Sequence, residues 1–159
     1  MPQDWIAKDM NTMTLNRFFD ATPAQVWTAW TDHLGEWWSP MPWRTEIVEN
    51  DMRPGGGASF IMHGPDGEAS AMPGVYLEVT APNRIVFTNA FTTGWVPATP
   101  FMVGDFTFTD DGAGGTHYRA TARHWDEKAM IEHAAMGFAE GWGAVADQLC
   151  EVARRVAQR

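Results

Sequence analysis

The chain has 159 residues, the length of one domain with a single sizeable core, and one cysteine, Cys150, which excludes an internal disulfide and a metal site built from paired thiolates. The formal charge is −9, and its 11 basic residues are scattered among 20 acidic ones, which argues against nucleic acid and anionic membrane as partners. No stretch approaches ~18 consecutive apolar residues, and the start, MPQDWIAKDM, lacks a basic region followed by an apolar run, so no membrane insertion is expected and the cytoplasmic compartment is the default. Nine Trp, nine Phe and ten Met are far more than a small domain ordinarily carries. They make either a bulky core or the lining of an adaptable apolar pocket.

Residues 1–11 read as a lead-in and 12–159 as a single domain. The segment TMTLNRFFD (12–20) fits a first strand. A helix start follows: Thr22 as N-cap, Pro23 at the first helical position and Gln25 closing a capping box, with the helix running to about Asp32. LGEWW (34–38) is a short second helix or turn ending before Ser39 and Pro40.

From there strands alternate with turn signals: 43–50, 58–64, 74–81, 84–91, 101–110 and 116–125, separated by Gly-, Asp- and Pro-rich connections typical of antiparallel hairpins. Residues 92–100, TTGWVPATP, form a rim loop in which Trp95 is either a lid aromatic or a plain anchor.

The chain closes on one long amphipathic helix, 126–159, with Asp126 as N-cap. Phe138, Trp142, Val145, Leu149, Val152 and Val156 recur by four and three, within roughly 60° of one another at about 100° per residue. Beside this stripe run Met130, Ala134, Gly137, Gly141, Ala144 and Gln148. Two glycines in a helix cost about 1 kcal/mol each relative to alanine, so this flank is expected where a sheet or a ligand comes close.

Seven strands in one antiparallel sheet twist and curl, and a long helix laid across the concave face can leave space beneath it. RFFDATPAQVWTAWTD (17–32) with WWSP (37–40), DMRPGG (51–56), GVYLEVTAPNRIVFT (74–88), FTFTDDGAGGTHYR (106–119) and HAAMGFAEGWGAVADQL (133–149) together resemble, in order, the START-like (SRPBCC) superfamily. More narrowly they are similar to the family related to the C-terminal domain of the heat-shock-protein-90 ATPase activator. The resemblance covers about residues 12–156. It implies an α+β helix-grip fold, β-α-α-β6-α, with a curved seven-stranded antiparallel sheet gripping the C-terminal helix. It also implies relatives that bind apolar molecules between sheet and helix, some of them cyclases or dehydratases.

No HExxH, GxSxG, GxxxxGK[ST] or CxxC motif occurs, and Arg53-Pro54-Gly55-Gly56-Gly57 lacks the Lys and following helix of a phosphate loop. No two of the five histidines have metal-ligand spacing. His133 lies about 140° from the apolar stripe and is expected to be solvated. His63, His124, Tyr76 and Glu78 are the lone candidates for acid–base work. Arg119 and Arg123 share one face of their strand, expected to be the solvated outer one, as do Arg44 and Glu46 on another. Tyr118, Ala120 and Ala122 then face inward.

The best pocket residues are Trp37, Trp38, Phe87, Phe91, Phe106, Phe108, Tyr118, Gly137, Gly141 and Trp142. Phe87 with Phe91, and Phe106 with Phe108, would share strand faces. The leading expectation is a binding protein for an apolar small-molecule ligand, with no cofactor, no metal and no catalytic residue assigned. The rivals are a cyclase, dehydratase or hydrolase on a polyketide-like substrate, and an interaction module, chaperone-associated or a homodimer.

Overall fold

The computed structural model describes residues 11–157. Strand β1 (Thr12–Phe19) leads into helix α1 (Pro23–His33). The capping box is formed as the sequence requires: Gln25 N donates to Thr22 Oγ1 (3.2 Å) and Thr22 N donates to Gln25 Oε1 (2.6 Å). Helix α1 buries Val26, Ala29 and Trp30, and a 3₁₀ turn, Leu34–Glu36, carries the chain to Trp37 and Trp38.

Among the described residues eight strands build two antiparallel sheets. One has the order β1, β10 (Thr116–Arg123), β9 (Val103–Asp110), β6 (Arg84–Thr88), β5 (Val75–Thr80). The other is β2 (Arg44–Asn50), β3 (Ala58–His63), β4 (Ala69–Met72). The expected single sheet of seven strands is therefore divided. A bridge between Gly57 and Val75 joins the parts, with Tyr76 N donating to the Gly56 oxygen and Ala58 N to the Gly74 oxygen, both at 2.9 Å. Register shifts at Ile47/Glu49 and Tyr76/Glu78 bend both halves. The result is a curved antiparallel surface holding a long terminal helix, the helix-grip arrangement.

Two segments depart from expectation. Strand β6 stops at Thr88, whose hydroxyl donates to the Met102 oxygen (3.0 Å) and accepts from Ala90 N (3.1 Å). Phe91 belongs instead to a two-residue ladder, β7 (Phe91–Thr92) with β8 (Val96–Pro97), which starts at the end of the expected strand and runs into the expected rim loop. The terminal helix is also two helices, α2 (Glu127–Ala135) and α3 (Phe138–Ala157), not one. Gly137 breaks it by taking φ +89°, a left-handed conformation that closes a helix and that glycine adopts without a Cβ penalty. Gly137 N and Met136 N bond back to the Ala134 and Glu132 oxygens at 3.1 Å.

Helix α3 packs by the expected stripe. Phe138, Leu149 and Val152 are buried, and Trp142 and Val145 are packed against the core. Its exposed side is tied down by Arg17–Asp147 (3.4 Å), Arg154–Asp20 (2.6 Å) and Arg155–Glu36 (3.1 Å). On the outer sheet face Asp105, 5% exposed, takes two bonds from Arg84 (3.0 and 2.8 Å) and one from Arg123 (3.2 Å). Burial alone would raise the Asp105 pKa, but the two guanidiniums outweigh it and hold the carboxyl below its usual range.

Candidate functional site: a chamber between sheet and terminal helices

Between the curved sheet and the two terminal helices lies a cavity of about 880 Å³, neither sealed nor a surface groove. Interiors normally pack to crystal density, so a space this large has to be held open by its walls. The walls are aromatic. Trp38 stands edge-on to Phe87 at 5.8 Å and Trp37 at 5.7 Å. Phe87 stacks on Phe106 at 5.8 Å, and Phe106 on Trp142 at 5.6 Å. Gly104 faces Phe87 across the ladder, and a Cβ there would lie 2.6 Å from the Phe87 ring. The glycine thus gives that ring the room to lie along the sheet.

Trp37, Trp38, Phe87, Phe106, Tyr118, Gly137, Gly141 and Trp142 all line the chamber. Phe91 and Phe108 do not. Phe91 lies beyond the end of β6 against Trp95 (5.6 Å), and Phe108 is sealed beneath α1 between Trp30 (5.7 Å) and Tyr118 (5.9 Å). Of the two expectations for Gly141, a sheet or a ligand coming close, the structure shows no sheet contact: a Cβ there meets nothing within 4 Å. It opens on the chamber and makes no close approach to the sheet.

The Trp37–Met41 segment is fixed from α3 by one side chain. Gln148 Nε2 donates to the Trp37 oxygen (3.0 Å) and the Ser39 oxygen (2.9 Å), and its Oε1 accepts from Met41 N (2.9 Å). Trp37 Nε1 also donates to the Ala29 oxygen (3.0 Å), which sets its ring against α1.

Among the acid–base candidates, His63 is bonded to Glu46 (2.7 Å), and Glu78 accepts from Thr80 (3.0 Å) and pairs with Arg84 (3.6 Å). The Tyr76 hydroxyl donates to Asn50 Oδ1 (2.5 Å). None of the three lines the chamber.

His133 does line it, against expectation, and is 6% exposed. Phasing it on a continuous helix places it outward; the break at Gly137 gives α2 its own direction and turns the ring in. Its Nδ1 lies 2.8 Å from Nε2 of His124, whose Nδ1 is 2.9 Å from the Asn11 carbonyl oxygen. Burial, and then the neighbouring His124, pushes the His133 pKa down to about 4. Tyr118 is 2% exposed, its pKa raised by burial, and its hydroxyl has no hydrogen-bond partner among the described residues.

Phe101, Met72, Met102 and Asn89 are among the further lining residues and were not expected there. Asn89 donates from Nδ2 to the Pro73 oxygen (2.9 Å), while its buried Oδ1 has no partner among the described residues. The signal for His133 was present in the sequence as Met136-Gly137, a helix stop; the others sit on loops and on β4, which carry no strong periodicity. Among the described residues no three His, Cys, Asp or Glu side chains converge as metal ligands, and no helix is long and apolar enough to cross a membrane.

Residues 20–154 match the family described as Activator of Hsp90 ATPase homolog 1-like protein. A protein from Nitrosomonas europaea of solved structure is 31% identical, with a TM-score of 0.87 over 93% of this chain and 97% of that one. A protein from Mycobacterium smegmatis is 27% identical, with a TM-score of 0.77 over 91% of each chain. One from Arthrobacter aurescens, 23% identical with a TM-score of 0.79 over 91% of this chain and 87% of that one, shares the fold. No curated protein matches the chain.

Proposed function

The chain belongs to the Activator of Hsp90 ATPase homolog 1-like family, and from its chamber we propose that it binds an apolar or aromatic small molecule between the sheet and the terminal helices. One observation carries the reading: about 880 Å³ of open space walled by Trp, Phe and Met. Ligand sites typically run ~300–1,000 Å³, are mostly apolar and carry few polar groups. A space of that size forfeits packing contacts unless something fills it.

The test combines native mass spectrometry of protein purified from its host with thermal shift against a panel of naphthalene dyes, flavonoid-sized and fatty-chain compounds. A retained small mass, or binding at micromolar Kd, roughly −8 kcal/mol, supports the reading. Stabilisation should reach about 2.7 kcal/mol at a hundredfold excess over Kd. Salt should matter little, since the attraction is apolar burial. A panel without any stabilisation, together with no retained mass, overturns it.

A further inference from the structure

The hydrogen bonds around His133 fix which of its nitrogens carries a proton. The Asn11 carbonyl oxygen can only accept, so His124 Nδ1, 2.9 Å away, carries the hydrogen. In the neutral ring His124 Nε2 is then a bare lone pair and must accept from His133 Nδ1, 2.8 Å away. His133 in turn holds its one hydrogen on Nδ1, and its Nε2 is an unprotonated acceptor. That Nε2 makes no hydrogen bond to the described residues, while the ring lines the chamber. No carboxylate among the described residues pairs with either imidazole. The rings packed around the pair are Phe101 (4.7 Å from His133), Phe138 (5.4 Å) and Trp142 (5.8 Å).

His133 Nε2 has no donor among the described residues and its ring lines an apolar wall, so it can accept a hydrogen bond from whatever fills the chamber. The geometry points to a ligand that is neutral and apolar but carries one O–H donor, a phenol or an alcohol, whose hydroxyl hydrogen is accepted by His133 Nε2. This deepens the ligand-binding reading and rests on it. A carboxylate of the same shape is disfavoured, because its oxygens are acceptors too and would face a lone pair. A pure hydrocarbon leaves the nitrogen unsatisfied. The Tyr118 hydroxyl, also on the wall and without a partner among the described residues, is the matching donor for a ligand oxygen. Burial holds His133 against protonation, so the acceptor persists at neutral pH.

Three probes of one skeleton separate the outcomes: naphthalene, 2-naphthol and 2-naphthoate, titrated by tryptophan fluorescence at pH 7.5. The expected result is 2-naphthol roughly tenfold tighter than naphthalene, the worth of one buried hydrogen bond, and 2-naphthoate the weakest. His133→Phe should keep naphthalene binding and erase the preference for the naphthol. A second readout needs no variant. Long-range proton–nitrogen spectra of the intact protein should show both His124 and His133 as Nδ1–H tautomers, with the His133 Nε2 resonance moving when 2-naphthol is added. Equal affinity for naphthalene and 2-naphthol overturns the inference while leaving the binding reading intact. So does 2-naphthoate binding as tightly as the naphthol, or His133 carrying its proton on Nε2. Failure of all three probes to bind overturns the inference, and joined to a silent panel it removes the binding reading as well.

Discussion

Gln148 Nε2 donates to the Ser39 carbonyl oxygen at 2.9 Å, across 109 residues of chain, and so holds the Trp37–Met41 segment on the terminal helix. The same amide bonds the Trp37 oxygen and the Met41 nitrogen. Three backbone groups of a half-buried loop thus depend on one side chain. Gln148→Leu should leave them without partners at a cost of roughly 1–3 kcal/mol. Denaturant unfolding measures the loss. Because Trp37 and Trp38 form one wall of the chamber, the variant should also bind naphthalene dyes more weakly than its stability loss alone explains.

His133 makes stability depend on pH in a window that its shift defines. Its pKa is about 4 in the folded protein and 6.5 when unfolded, so between these values the unfolded chain binds more protons. Its contribution is fully present above pH 6.5 and is lost as pH falls toward 4. The most it can contribute is roughly 3 kcal/mol, the shift converted at ~1.36 kcal/mol per unit. His133→Phe should flatten the stability profile between pH 6.5 and 4 while leaving the steeper carboxylate-driven loss below it. An unchanged slope in that window would place the titration elsewhere.

Much of this architecture was legible because local chemistry and tertiary structure agree. Thr22, Pro23 and Gln25 announce a helix start that needs no long-range information, and the alternation of Tyr118, Ala120 and Ala122 with Arg119 and Arg123 separates the faces of β10. Periodicity misled where a single residue changes direction. The 3.6-residue pattern continues across Gly137, so its positive φ was absorbed into one long helix and His133 was phased outward. Parity misled in the same way at Phe91, because the count from Phe87 assumes an unbroken strand and Thr88 ends it with side-chain bonds. Strand β4, ASAM, has no β-branched residue and is held by its register on β3 (Phe60 with Met72, Ile61 with Ala71), a pairing that sequence alone does not display.

Leu149 is fully buried at the centre of the α3 stripe, and Phe138 and Val152 belong to the same buried core. Leu149→Ala should cost about 2–5 kcal/mol, the range for a leucine whose cavity cannot collapse. A loss below about 1 kcal/mol, measured by urea unfolding, would mean that the helix does not pack by this stripe.

Gly141 separates binding from stability. A steric failure of Gly141→Leu is what close packing on the sheet would produce, but a Cβ at this position meets nothing within 4 Å. The added side chain therefore projects into the chamber, and the helix gains from losing an interior glycine, up to about 1 kcal/mol. Burying the new methyl groups in the apolar chamber adds to that gain. The expected outcome is a protein as stable as the parent or more so, with naphthalene-dye affinity reduced tenfold or more because leucine occupies the ligand's space. Thermal melting and fluorescence titration of one preparation read both quantities. Undiminished dye binding in a stable Gly141→Leu variant would show that dyes bind outside this chamber, and a loss of stability of several kcal/mol would show that the helix lies closer to the sheet than the open space at Gly141 allows.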